Sequence, residues 1–106
     1  MVCLLLFMFI ALYHWKIKPD SEAKFQAGWH RRTLEIRADC GGLGSRLHKA
    51  EDGTFYGYAQ WKNKEMWENL ENFSIIDEEA SAMMRESVEE SLPTVFMETV
   101  DDLLLF

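Results

Sequence analysis

Gly41 to Trp67 reads GGLGSRLHKAEDGTFYGYAQWKNKEMW, and this stretch decides the fold. Leu43–Lys49 interleaves apolar and small residues, while Thr54–Trp61 is rich in aromatics. Between them, Ala50-Glu51-Asp52-Gly53 ends in an Asp-Gly pair, which supplies the positive-φ position of a tight turn. An antiparallel hairpin follows, with Lys49 opposite Thr54. Side chains alternate across a strand. This register therefore groups Phe55, Gly57, Ala59 and Trp61 with His48, Arg46 and Gly44. It leaves Tyr56, Tyr58 and Gln60 on the other face with Leu47, Ser45 and Leu43. Asn63 then caps a helix that carries Met66, Trp67 and Leu70 on its inner side.

Upstream, Met1–Leu12 is apolar throughout, but it is too short to span a bilayer. It also lacks the basic start and small-residue cleavage site of a signal peptide. It reads as a buried strand from Phe9 to Lys18 behind a leading extension, Met1–Phe7, with Met8 as a candidate natural start. Tyr13, Trp15 and Ile17 fall on one face of that strand; Leu12, His14 and Lys16 fall on the other. Pro19 ends it. Asp20 or Ser21 caps a helix whose stripe is Phe25, Trp29, Arg32/Thr33 and Ile36, and Cys40-Gly41-Gly42 stops it.

Downstream, Glu71–Ile76 reads as a loop with Phe73, Ile75 and Ile76 tucked under it. Asp77 caps a third helix with the stripe Ala80, Met84, Val88 and Leu92, broken by Pro93. Glu89 and Glu90 suit a helix C-terminus poorly, so fraying is expected there. Val95–Val100 is the last strand. The order is β-α-β-β-α-α-β: an α+β, ferredoxin-like chain with a four-stranded antiparallel sheet and helices on one face. At 106 residues it is a single domain, 1–106, with 1–8 as an N-terminal extension. The uncovered sheet face would hold Tyr13, Trp15, Tyr56 and Tyr58. That is too much ring surface for a monomer in water, so a homodimer through the sheet faces is expected.

Eighteen acidic residues against eleven Lys and Arg give a net charge of −7, which argues against nucleic acid. His30-Arg31-Arg32 is the nearest basic cluster, and acids bracket it. Cys3 and Cys40 form no disulfide framework, as suits a reduced, cytoplasmic protein. His14, His30 and His48 lack the local pairing of a metal site.

GGLGSRLH, an Asp-Gly turn, YAQW, a short polar step and a Trp-bearing helix together resemble the antibiotic biosynthesis monooxygenase family, from about Phe9 to Leu70. The resemblance implies a dimeric α/β barrel with a small-molecule pocket inside each subunit, between sheet and helices. It implies oxidation of electron-rich aromatics or quinols by dioxygen, with neither metal nor flavin. On that reading His14 is the candidate base and Arg46 holds the developing oxyanion. Trp61 stacks on the ring, with Trp67, His48 and Met84 as further substrate contacts. Each has a structural alternative: Arg46 with its head in water, His48 as solvated surface, Trp61, Trp67 and Met84 as core filling, His14 as a hydrogen-bonded neighbour.

The sequence departs from two branches of that family. The haem-degrading branch has an Asn where Leu12 stands and a later His that this chain lacks, although Trp61 matches its tryptophan. The polyketide-oxidising branch has a polar side chain four residues before the tryptophan, where Gly57 stands here. Two rivals to the oxygenase therefore remain: a non-catalytic dimeric binding protein for a hydrophobic metabolite, and a dimer whose pocket is filled by Trp67, Phe73 and Met84.

Overall fold

Residues 8–72 and 77–104 are described by a computed structural model. The expected extension Met1–Phe7, and residues 73–76 of the expected loop with Phe73, Ile75 and Ile76, lie outside the described residues. In chain order the elements are β1 (Phe9–Ile17), α1 (Glu22–Asp39), β2 (Gly42–Lys49), β3 (Phe55–Trp61), α2 (Lys64–Glu68), a 3-10 turn (Asn69–Asn72), α3 (Glu78–Ser87) and β4 (Val88–Glu98). The sheet is antiparallel, in the order β2-β3-β1-β4. This is the α+β arrangement that the sequence implies.

The helices lie over the face formed by the odd-numbered residues of β1 and β3. Phe25 of α1 is fully buried there, edge-on to Trp15 at 5.0 Å and to Phe55 at 5.8 Å between ring centres. Gly28 lets α1 and α3 approach closely, since a Cβ there would stand 2.8 Å from the Ala80 carbonyl oxygen. At the start of α2, Asn63 Oδ1 accepts from the Met66 amide at 2.9 Å.

Two devices displace the hairpin register by one residue. Lys49 pairs with Phe55, not Thr54. Gly53, at φ 89°, closes a three-residue loop in which the Ala50 amide donates to the Thr54 carbonyl at 2.8 Å. At the far end Gly42 still pairs with Trp61, as the expected register requires. The extra residue is absorbed by a bulge at Gly44, whose φ is 112°. Between bulge and turn a one-residue slip turns every side chain over. Arg46 pairs with Tyr58 and His48 with Tyr56, so both point away from the helices.

The third helix is shorter than its apolar stripe implies. It stops at Ser87, and Val88, Glu89, Glu90 and Leu92 belong to β4, which runs through Pro93. Proline is tolerated because β4 is an edge strand and the ladder with β1 shifts register between Leu92 and Val95. Glu89 and Glu90 are strand residues, so no helix end is left to fray.

Asp77 caps α3, accepting from the Ala80 amide at 3.0 Å, and receives Arg31 through two bonds of 2.9 and 2.6 Å. The Arg31 hydrogen bond, then the Ala80 amide, hold this carboxyl below its usual range. A lowered native pKa adds stability above the unfolded pKa, and that stability is lost as pH falls through the native value. Asp77→Asn should therefore lower the thermal midpoint at neutral pH. The gap to wild type should close as pH drops below the carboxylate range; a pH-independent gap would mean that the charge has no part in it.

Candidate functional site

A cavity of about 280 Å³ opens between the sheet and the helices. Its aromatic wall consists of Tyr13, Trp15, Trp29 and Trp61, and Ile36, Leu70 and Met84 add aliphatic surface. The strand pairing explains this wall. Tyr13 lies opposite Gly57 and Trp15 opposite Phe55, so the rings of β1 face the helices. With no side chain at Gly57, the Trp15 indole lies across it: a Cβ there would stand 2.7 and 2.9 Å from two of its ring carbons. The polar side chain of the polyketide-oxidising branch has no room at this position. The indole stands in its place.

Trp61 is only 2% exposed, and its Nε1–H has no hydrogen-bond acceptor among the described residues. A buried donor without a partner costs about 1–3 kcal/mol. Tyr13 Oη accepts from Trp67 Nε1 at 2.9 Å. Burial pushes the Tyr13 phenol above its ordinary pKa, and the Trp67 hydrogen bond offsets only part of this. The phenol stays protonated at neutral pH and is therefore no base.

Among the described residues the ionised groups of the lining are Arg32, Arg37 and Arg85, with no histidine or carboxylate beside them. Arg32 is matched by Glu35 at 2.9 Å, with the two side chains 17% and 8% exposed. Arg37 ends α1, its stem 3.9 Å from where a Gly44 Cβ would stand, and Arg85 ends α3. A cleft lined by charge of one sign concentrates its field on whatever enters.

Of the residues singled out in the sequence, Trp61 and Met84 line this cavity. Trp67 does not. It packs against Phe9 and Phe96 at 5.9 and 4.7 Å between ring centres and holds the Tyr13 hydroxyl. His14, expected in the cavity, is on the helix-free face, stacked flat on Tyr56 at 3.9 Å. There Thr54 Oγ1 donates to Asp52 Oδ1 at 2.7 Å and faces His14 Nε2 at 2.8 Å. Arg46 and His48, expected beside His14 over the cavity, are exposed on that same helix-free face. They border a groove with Tyr58, Asp102 and Leu104.

The expectation that Tyr13 and Trp15 make up the uncovered face is likewise reversed, and Leu12, His14, Tyr56 and Tyr58 occupy it with Val95 and Met97. Tyr13, Trp15, Arg37 and Arg85 are among the cavity residues that sequence reading did not place there. The signal for the rings of β1 is the small residue Gly57 across the ladder, over which the Trp15 indole lies. The arginines have no local signature.

Among the described residues no group of three His, Cys, Asp or Glu could hold a metal ion. Cys40 is buried and free, and burial chiefly raises its thiol pKa, so it is a poor nucleophile. No described helix is long and apolar enough to cross a membrane.

No protein-family model and no curated protein sequence matches the chain. Solved structures do. SnoaB, a cofactor-independent oxygenase from Streptomyces nogalater, is similar at 11% identity and a TM-score of 0.72, over 92% of this chain and 97% of that one. Rv0793 from Mycobacterium tuberculosis is similar at 13% identity and a TM-score of 0.71, over 92% and 99%. A Bordetella bronchiseptica protein, assigned by its name in provisional terms to antibiotic biosynthesis monooxygenases, is similar at 17% identity and a TM-score of 0.73, over 92% and 99%. Similarity at such identities is similarity of backbone, and the backbone of this chain has the fold of the antibiotic biosynthesis monooxygenases.

Proposed function

We propose that the chain is a small oxygenase that uses dioxygen, without metal or flavin, to oxidise an electron-rich aromatic or quinol-type molecule. The observation that carries this reading is the cavity, which is walled by rings and bordered by arginines. Indole and phenol faces hold a flat ring. The guanidinium groups favour its phenolate or enolate over the neutral form. The carbanion-like carbon then passes an electron to dioxygen, and the two radicals combine into a peroxide. Loss of water from the peroxide leaves a carbonyl, so that an activated CH2 and O2 give C=O and H2O.

Among the described residues neither histidine nor carboxylate lines the cavity, so on this reading the substrate proton passes to water at the mouth and His14, on the other face, takes no part as base. Oxygen uptake by metal-stripped protein with hydroquinones and anthrones should survive chelation. It should rise with pH along the ionisation of the substrate itself, be unchanged in His14→Ala and fall several-fold in Trp61→Phe. A bell-shaped profile, or loss of uptake in His14→Ala, would sink this mechanism.

The same lack of a base favours a second reading, a non-catalytic binding protein for a hydrophobic metabolite. Binding of these compounds without uptake would establish it.

A second copy of the chain is the proposed cover for the helix-free face, where Val95 and Met97 are 49% and 39% exposed beside Tyr56 and Tyr58. A monomer in sedimentation equilibrium would overturn this assignment. With Cys40 as a thiol, the cytoplasm is the proposed compartment.

A further inference from the structure

The charges around the cavity are distributed against the composition of the chain. Eighteen of the residues are acidic, yet among the described residues none of them lines the cavity, where the ionised groups are all arginines. Elsewhere the acids neutralise their neighbours. Arg31, on the same helix as Arg37, is held by Asp77 and Glu79 at 2.6 and 2.8 Å, and Arg32 is held by Glu35. Glu86, adjacent in sequence to Arg85, pairs instead with Lys24 at 2.6 Å. Arg37 and Arg85 form no ion pair among the described residues, and both are exposed at the rim while the rings line the interior.

A solvent-facing guanidinium is screened, so it supports a transient charge deep in the cavity only weakly. It is well suited to a permanent carboxylate at the rim, which it can grip through two parallel N–H donors. The volume limits what lies behind that carboxylate. Pockets for drug-sized ligands span about 300–1,000 Å³, and this one, at about 280 Å³, falls just short of them. One or two fused rings suit it better than a polycycle.

We infer that the ligand is a one- or two-ring aromatic acid, its ring among Trp15, Trp29 and Trp61 and its carboxylate on the arginine rim formed by Arg37 and Arg85. This deepens the proposed function and rests on its reading of the cavity as the ligand site. The test compares 1-naphthoate with its methyl ester by calorimetric titration of the full chain. The acid should bind at least about tenfold more tightly at low salt. The preference should erode at about 1 M salt, where the screening length falls to about 3 Å.

Arg37→Gln/Arg85→Gln should bring the acid to the affinity of the ester and leave the ester unchanged, whereas Arg37→Lys/Arg85→Lys should keep part of the preference. Equal binding of acid and ester by the wild-type protein, or a preference that persists at high salt or in the glutamine variant, would overturn the inference and leave the cavity as a ligand site. Binding of neither compound would overturn both.

Discussion

Phe25→Ala is expected to lower the unfolding free energy by about 3–5 kcal/mol, the usual cost of deleting a buried phenylalanine ring. Phe25 is fully buried, and its ring bridges the two strands that form the centre of the sheet, with Trp15 on β1 and Phe55 on β3. Small domains are stable by only about 5–15 kcal/mol, so the variant should unfold at a small fraction of the wild-type urea concentration. The void cannot collapse easily, because both neighbours are rings fixed by strand pairing. Phe25→Leu keeps most of the volume and should cost less than about 1.5 kcal/mol, as volume-conserving exchanges do. Comparable losses in the two variants would show that ring geometry, not filled volume, is what matters here.

Gly57→Ala should reverse the usual sign of its exchange. Within a strand alanine is ordinarily better than glycine by about 0.5–1 kcal/mol. Here the new methyl group would meet the Trp15 indole at 2.7 and 2.9 Å, and that ring is already packed against Phe25 at 5.0 Å between ring centres. Overpacking of this kind costs about 1–3 kcal/mol. Trp15 lines the cavity, so displacing its indole should lower affinity for aromatic compounds together with stability. Trp15→Phe in the Gly57→Ala background should recover part of both. The coupling energy from urea denaturation of the four proteins measures the contact directly, and a coupling of zero would remove the glycine from any account of the cavity.

What the sequence reveals depends on how local each determinant is. The Asp-Gly turn, the Asn63 and Asp77 caps and the α1 stripe act within a few residues, and all are legible. The face on which His14 lies is not. Alternation sorts Tyr13 and Trp15 from His14, but it does not say which set meets the helices; the ladder that lays Trp15 over Gly57 decides that. Arg46 and His48 turn over because a loop and a bulge each displace the chain by one residue, and Gly44 carries no mark of a bulge before its partner strand is known. Val88 to Leu92 continues a helical stripe, but tertiary pairing with β1 overrides it. The cavity is half legible: Trp61, Met84 and the α1 stripe are found by period and resemblance, while the arginine rim exists only once α1 and α3 are packed over the sheet.

The two outer strands have a consequence for the behaviour of this protein in crowded solution. A sheet with open sides is a template on which a stray strand from another molecule can continue the ladder. Both sides are spoiled here. Pro93 deprives β4 of an amide near a register shift, and the bulge at Gly44 interrupts β2. An incoming strand would lose its alignment after a few residues on either side. Ribbon-like growth along either side is thereby discouraged.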